Sequence, residues 1–337
     1  MGVSVLKWDR LFEASSRYSM LIDHYIMDFM SITPDRLSGA SLHLIKAGGK
    51  RLRPLITLLT ARMLGGLEAE ARAIPLAASI ETAHTFSLIH DDIMDRDEVR
   101  RGVPTTHVVY GDDWAILAGD TLHAAAFKMI ADSREWGMSH EQAYRAFKVL
   151  SEAAIQISRG QAYDMLFEET WDVDVADYLN MVRLKTGALI EAAARIGAVA
   201  AGAGSEIEKM MGEVGMNAGI AFQIRDDILG VIGDPKVTGK PVYNDLRRGK
   251  KTLLVIYAVK KAGRREIVDL IGPKASEDDL KRAASIIVDS GALDYAESRA
   301  RFYVERARDI LSRVPAVDAE SKELLNLLLD YIVEREK

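Results

Sequence analysis

The chain crowds acids onto the end of an apolar segment, Ser87-Leu88-Ile89-His90-Asp91-Asp92-Ile93-Met94-Asp95-Arg96-Asp97. Asp91, Asp92 and Asp95 carry the spacing D-D-x-x-D. On a helix Asp91 and Asp95 stand one turn apart and Asp92 lies three residues from Asp95, so the spacing predicts three carboxylates converging beside one face. Left alone they repel, and at least one pKa rises. A hard divalent cation relieves that repulsion, because Mg²⁺ takes oxygen ligands and bridges a few carboxylates to substrate phosphates. Taken by itself the motif also reads as a solvated acidic helix end.

A second acidic pair, Asp226-Asp227, ends another apolar run in "FQIRDDILG". Two such helices facing each other would enclose a cavity with carboxylates on both walls. Basic groups supply the counterpart. Lys50, Arg51 and Arg53 lie in "AGGKRLRP", Arg100 and Arg101 in "EVRRGVPTTH", and Lys240, Lys250 and Lys251 in or beside a long irregular stretch. Arginine's planar fork matches phosphate oxygens and lysine adds a mobile point charge. Each basic pair alone reads as a solvated face. Together with the acids they point to diphosphates, one held through metal and another by direct cationic contacts. His84, two turns before Asp91, shares that helix face. A buried, satisfied histidine is the competing reading, and no H-x-x-H or H-E-x-x-H spacing supports histidine as a metal ligand.

Other phosphate motifs fail. "GDPKVTGKP" has five residues between Gly233 and Gly239 and no Ser or Thr after Lys240, so it is not a P-loop, and no G-x-G-x-x-G follows a strand.

The elements that must position these groups are helices. Apolar residues recur at three and four, as at Leu55, Leu58, Leu59 and Met63, and again at Leu325, Leu328, Leu329 and Ile332. Strand signals are weak. Ser139, ahead of Glu141 and Gln142, reads as a capping box. Gly65-Gly66 reads as the end of the helix that starts near Arg53-Pro54. Roughly a dozen helices with short loops result, and no linker splits the 337 residues. The expectation is one all-α domain over residues 1–337. The irregular stretch from Ile232 to Gly249 is long enough to be functional.

Composition bounds the remainder. Hydrophobic residues make up 48% and the net charge is −6, so bulk electrostatics gives no reason to expect a nucleic-acid partner. Cysteine is absent, which excludes disulfides, thiolate metal sites and a Cys nucleophile, and fits the cytoplasm. Charges from Lys7 to Arg17 argue against a signal peptide. "ALIEAAARIGAVAAGAG" (188–204) carries Glu191 and Arg195 and is short for a membrane span, so it reads as a buried Ala/Gly-rich helix.

The combined motifs resemble the trans-isoprenyl diphosphate synthases of the farnesyl/geranylgeranyl type. "DDIMD" followed by "RRG" is similar to that family's first aspartate-rich motif, "FQIRDDILG" to its second, and "GGKRLRP", "GDTLHAAAF" and "LKTGAL" to three further segments. The resemblance runs from about residue 47 to 252. It implies a bundle of antiparallel helices around a deep central cavity, the isoprenoid synthase fold, usually as a homodimer. It implies head-to-tail condensation of isopentenyl diphosphate with allylic diphosphates (dimethylallyl, geranyl, farnesyl), with Mg²⁺ as cofactor, three ions per site, and Mn²⁺ as a substitute. By resemblance, Asp91 and Asp95 bind metal with Asp92 supporting, and Asp226 completes the set beside Asp227. Arg100, Lys185, Thr186, Gln223, Lys240 and Lys250 would hold the allylic diphosphate, and Gly49, Lys50, Arg53, His84 and Arg101 isopentenyl diphosphate. The second motif departs from the pattern at Gly230, where many members have a third Asp.

Product length is set in this family by side chains just upstream of the first motif. Here these are Phe86, Ser87 and Ala83, with no insertion between Asp92 and Asp95, which resembles the archaeal geranylgeranyl (C20) type. An ideal helix puts Phe86 about 140° from Asp91, so spacing alone does not make it a floor, and it also reads as plain core. The alternatives are the same chemistry with a C15 or C25 product, a terpene cyclase, or a non-catalytic partner subunit. A cyclase has no need of "GGKRLRP" and would carry a second metal motif with Asn and Ser. A partner subunit should have lost part of the acids.

Overall fold

The computed structural model describes residues 2–232 and 243–335, with side chains from Lys7 onward, and Lys240 lies outside the described residues. The described residues are almost entirely helical. In order come α1 (Gly2–Phe29), α2 (Asp35–Lys46), α3 (Leu52–Asp95), α4 (Thr106–Tyr110), α5 (Asp112–Asp132), α6 (His140–Glu168), α7 (Val175–Val182), α8 (Ala188–Ala200) and α9 (Ser205–Ile232). After them, the longer helices are Glu277–Asp289, Ala292–Arg313 and Ala319–Glu334. Among the described residues no helix is long and apolar enough to cross a membrane.

The predicted cap at Ser139 is present: Gln142 N–H donates to Ser139 Oγ, and Ser139 N–H to Gln142 Oε1. The predicted helix end at Gly65-Gly66 is present as a break inside α3, where Gly66 leaves helical geometry with φ 69° and ψ −163° and a second helical stretch follows to Asp95.

The chain forms two compact units. The first comprises Met1–Ala154, Leu189–Gly215 and Ile310–Leu328, and the second Ile155–Ala188, Met216–Asp309 and Leu329–Lys337. Core residues of the first include Leu11, Tyr18, Ile22, Leu44, Leu55, Leu58 and Met63. There α8 is the buried Ala/Gly helix that its sequence predicts. A Cβ at Gly197 would lie 2.5 Å from the Thr57 carbonyl oxygen, so only glycine permits this approach to α3. Core residues of the second include Tyr178, Ile220, Ile224, Ile228, Leu253, Leu254, Ile267, Leu280 and Ile287.

One small sheet was not legible in the sequence. Val99–Arg100 pairs antiparallel with Val103–Pro104 through a tight turn in which Arg101 and Gly102 have φ of 54° and 77°. Two consecutive positive φ values make a hairpin turn of the primed type, which usually carries Asn-Gly. With Arg in the first position and strands of two residues, neither signal reaches detection.

Candidate functional site

In the first unit, the end of α3 carries the first acidic motif. Asp91 and Asp95 are half-buried, whereas Asp92 is fully buried. The hairpin returns Arg100 onto the helix, where its Nε donates to Asp92 Oδ1 at 2.6 Å. Burial pushes the Asp92 carboxyl up to about 6 against the opposing pull of Arg100, with Asp97 and Asp91 adding to the rise. The three acids therefore do not play one role. Asp92 turns inward to hold Arg100, leaving Asp91 and Asp95 as the pair at the helix end.

These residues fit a hard cation. Their donors are carboxylate oxygens, and Asp92 Oδ2 is a buried oxygen without a hydrogen-bond partner. Among the described residues no three acidic or imidazole groups form a metal-holding cluster. Mg²⁺ needs only one or two carboxylates when waters and substrate phosphates fill its other positions, and Asp91 with Asp95 supplies that number.

Beside them lies a cationic cluster. Gly48, Gly49 and Arg51 all have positive φ, so the loop before α3 curls back on itself. A Cβ at Gly49 would fall 3.0 Å from both the Arg101 and the Arg51 guanidinium. Arg51 is structural: buried, it donates to Asp23 and Glu81 and to the carbonyls of Ile45 and Gly48. Arg101 donates to the carbonyls of Leu44 and Gly48. Arg53 lies 3.0 Å from His84 Nε2. Burial, followed by Arg53, Arg101, Arg100 and Arg51, holds the His84 pKa well below the ordinary range. His84 is thus neutral, and its Nε2 accepts from Arg53. Lys50 is exposed in the same loop, its carbonyl accepting from Ser15. Gathered guanidiniums around a neutral imidazole are chemically suited to receive an anion.

Upstream on α3, Ala83 is buried and Ser87 Oγ donates to the His84 carbonyl. Phe86 is half-buried and meets the His123 ring edge-on at 4.6 Å, with His90 at 6.0 Å. His123 in turn packs on Phe127, and Phe127 on Phe147, at 5.2 Å each.

In the second unit, Asp164, Tyr178, Lys185, Thr186, Gln223, Asp227, Asp245, Lys250 and others line a cavity of about 70 Å³. Lys185 and Thr186 sit in a π-helical turn, Arg183–Gly187, an interruption of the helical ladder that is frequent at functional sites. Thr186 Oγ1 donates to Gln223 Oε1 at 2.8 Å, and Gln223 Nε2 donates to Asp227 Oδ1 at 2.9 Å. The Tyr178 hydroxyl donates to Asp227 Oδ2 at 2.6 Å. Both Asp227 oxygens are thereby engaged inside the protein. Burial, with help from the Asp245 charge, pushes its pKa up to about 7, although Tyr178 and Gln223 draw it down. Asp226, half-buried, instead meets Arg335. Lys185 and Lys250 both donate to Asp164.

The sequence reading missed Asp164, Tyr178, Asp245, Arg335 and His123. Asp245 bears on the departure at Gly230, because a Cβ there would lie 3.0 Å from Asp245 Oδ2. The glycine makes room for a carboxylate from another part of the chain. An acid inside "GQAYDM" was the one sequence signal for Asp164.

Residues 34–287 match the polyprenyl synthetase family. The chain is 42% identical over 320 residues to a geranylgeranyl diphosphate synthase of Sulfolobus acidocaldarius, covering 94% of this chain and 96% of that protein. It is 45% identical over 303 residues to a geranylgeranyl pyrophosphate synthase of Geoglobus acetivorans, covering 90% and 92%. The crystal structure of a geranylgeranyl pyrophosphate synthetase from Pyrococcus horikoshii superposes with a TM-score of 0.89 at 37% identity, over 98% of this chain and 99% of that one. The all-α fold is that of the isoprenoid synthases, and this chain belongs to the polyprenyl synthetase family.

Proposed function

We propose that the chain condenses isopentenyl diphosphate head-to-tail with dimethylallyl, geranyl and farnesyl diphosphates and releases geranylgeranyl diphosphate. The observation that carries this reading is the gathering of Arg53, Arg100 and Arg101 around neutral His84, next to the acidic end of α3. A terpene cyclase has no use for such a second anion site. Relatives bearing the geranylgeranyl name support the C20 product, and so does the aromatic Phe86 backed by His123.

In this reading Arg53, His84, Arg101, Lys50 and Gly49 hold isopentenyl diphosphate. Arg100, Lys185, Thr186, Gln223, Lys240 and Lys250 hold the allylic diphosphate. Asp91, Asp95 and Asp226 hold Mg²⁺, three ions per site with Mn²⁺ able to replace them, while Asp92 and Asp227 orient neighbours. The bound metal supplies charge neutralisation on the diphosphate as it departs. Fixed cations of the protein stabilise the same developing charge at no cost in reorganisation. The allylic cation would need surroundings that exclude quenching water, and the dipoles of Thr186 and Gln223, which line the cavity, would stabilise it. The proton lost at the end passes to the departing diphosphate.

The family match covers residues of both compact units, which supports a single synthase domain over residues 1–337. Exposed Ile116 and Leu117 on α5 and Tyr144 and Phe147 on α6 support a homodimer. A cysteine-free chain supports a cytoplasmic location. The test incubates the purified chain with Mg²⁺, isopentenyl diphosphate and separate C5, C10 and C15 primers, reading product lengths by mass. Condensation ending at C20 is expected. No condensation with any primer rejects the synthase reading, and a dominant C15 or C25 product rejects the chain length.

A further inference from the structure

We infer that Asp164 is a positioning residue for the allylic diphosphate grip: one largely buried carboxylate ties Lys185 and Lys250 into a two-ammonium clamp through a single oxygen. The inference deepens the proposed function and rests on its assignment of those two lysines to the allylic substrate.

Asp164 Oδ2 accepts from Lys185 Nζ at 2.6 Å and from Lys250 Nζ at 3.3 Å. The side chains are 13%, 21% and 16% exposed respectively, so all three charges are largely withdrawn from water. Sharing one oxygen keeps the two nitrogens within about 6 Å of each other, a separation at which like charges repel strongly outside bulk water. A common carboxylate between them offsets that repulsion. Burial alone would favour the neutral acid, yet Lys250 and Lys185 hold the Asp164 carboxyl down at about 2, so it stays ionised. An ammonium has three donors and Asp164 takes one from Lys185. Two ammoniums held at this spacing suit the terminal oxygens of linked phosphates.

The same helix fixes the backbone as well. Gly160 stands one turn before Asp164 on α6, on the same face. A Cβ at Gly160 would lie 2.3 Å from the Lys185 nitrogen, so the missing side chain admits the π-turn. Within "GQAYD", glycine admits the backbone of Lys185 and aspartate holds its ammonium.

The test is steady-state kinetics on the full-length chain with Mg²⁺, varying each substrate in turn, for Asp164→Asn, Asp164→Glu, Lys185→Ala and Lys250→Ala, with melting curves for each. Asp164→Asn is expected to raise the allylic KM about tenfold or more and lower kcat, with the isopentenyl KM unchanged within about twofold. Asp164→Glu retains the charge and should show a smaller rise. A residue that only supports the fold would lower the active fraction and leave both KM values in place, and that result overturns the inference. If Asp164→Asn does not fold, Asp164→Glu carries the test, and an unmoved allylic KM in that variant overturns it. If Lys185→Ala and Lys250→Ala leave the allylic KM unchanged, the functional assignment of the lysines fails and the inference with it. If the lysine variants raise it and Asp164→Asn does not, the inference alone fails.

Discussion

Arg335 Nη2 donates to Asp226 Oδ1 at 2.6 Å, with the guanidinium stacked 4.0 Å over the Phe222 ring. Its own carbonyl accepts from Arg225, so the last described residue is pinned to the second acidic motif. In the proposed metal site, the Arg335 guanidinium would compete with an incoming divalent cation for that Asp226 oxygen. Arg335→Gln is expected to lower the Mg²⁺ concentration for half-maximal activity several-fold, while costing about 1 kcal/mol of metal-free stability as the ion pair between Arg335 and Asp226 is lost. A Mg²⁺ titration of activity, set beside melting in chelator, reads both. A higher Mg²⁺ requirement in the variant would show that Arg335 supports the site instead of competing for it.

Asp164 makes a pH prediction whose sign follows from its depressed pKa. Its folded value of about 2 lies below the ordinary 3.8, so the folded state releases this proton more readily than the unfolded chain. The stabilisation is complete above about pH 4 and disappears as pH falls through 2, an effect of about 2 kcal/mol for a group this buried. Denaturant unfolding of the metal-free chain at stepped pH from 5 to 2 should show a steeper loss for the native protein than for Asp164→Asn. Parallel curves would refute the linkage.

Much of this arrangement was legible in the sequence because it is local. Asp91 and Asp95 are one helical turn apart, His84 lies two turns upstream, and the cap at Ser139 spans three residues. The two acidic runs and the basic groups could be named from residue type alone. What stayed hidden depends on partners far along the chain. Asp164 is 86 residues from Lys250, and Arg335 is 109 from Asp226. An acid amid a helical pattern looks like a solvated face until tertiary packing brings two lysines to it. Asp92 shows a different gap: spacing predicts convergence with Asp91 and Asp95, but burial turns its carboxylate onto Arg100. The hairpin at Arg101-Gly102 was lost because an arginine, not the usual asparagine, takes the first positive φ of its turn.

Phe86 and His123 carry the prediction for product length. The Phe86 ring abuts His123 at 4.6 Å, and the aromatic series continues through Phe127 to Phe147. If Phe86 blocks the growing chain, Phe86→Ala should shift products beyond C20 while turnover persists, at a stability cost of about 2–4 kcal/mol for the lost ring. His123→Ala, which removes the ring behind it, should lengthen products to a smaller degree. Mass analysis of products from C15 primer separates the possibilities. Unchanged lengths with lowered melting would make Phe86 a core residue and nothing more.

Gly160→Ala sets two opposing effects against each other. In an exposed helix interior, replacing glycine with alanine stabilises by about 1 kcal/mol. Here the added Cβ would lie 2.3 Å from the Lys185 nitrogen and 2.6 Å from its Cα, both backbone atoms with little freedom to retreat. Overpacking of this kind costs about 1–3 kcal/mol, so the steric effect should win and the melting temperature should fall. The strain falls on the π-turn that carries Lys185 and Thr186, so the allylic KM should rise with it. The isopentenyl KM should not, because Arg53, His84 and Arg101 belong to the other compact unit. A variant that melts higher than the native chain would show that α6 relaxes away from the turn and that the close approach is dispensable.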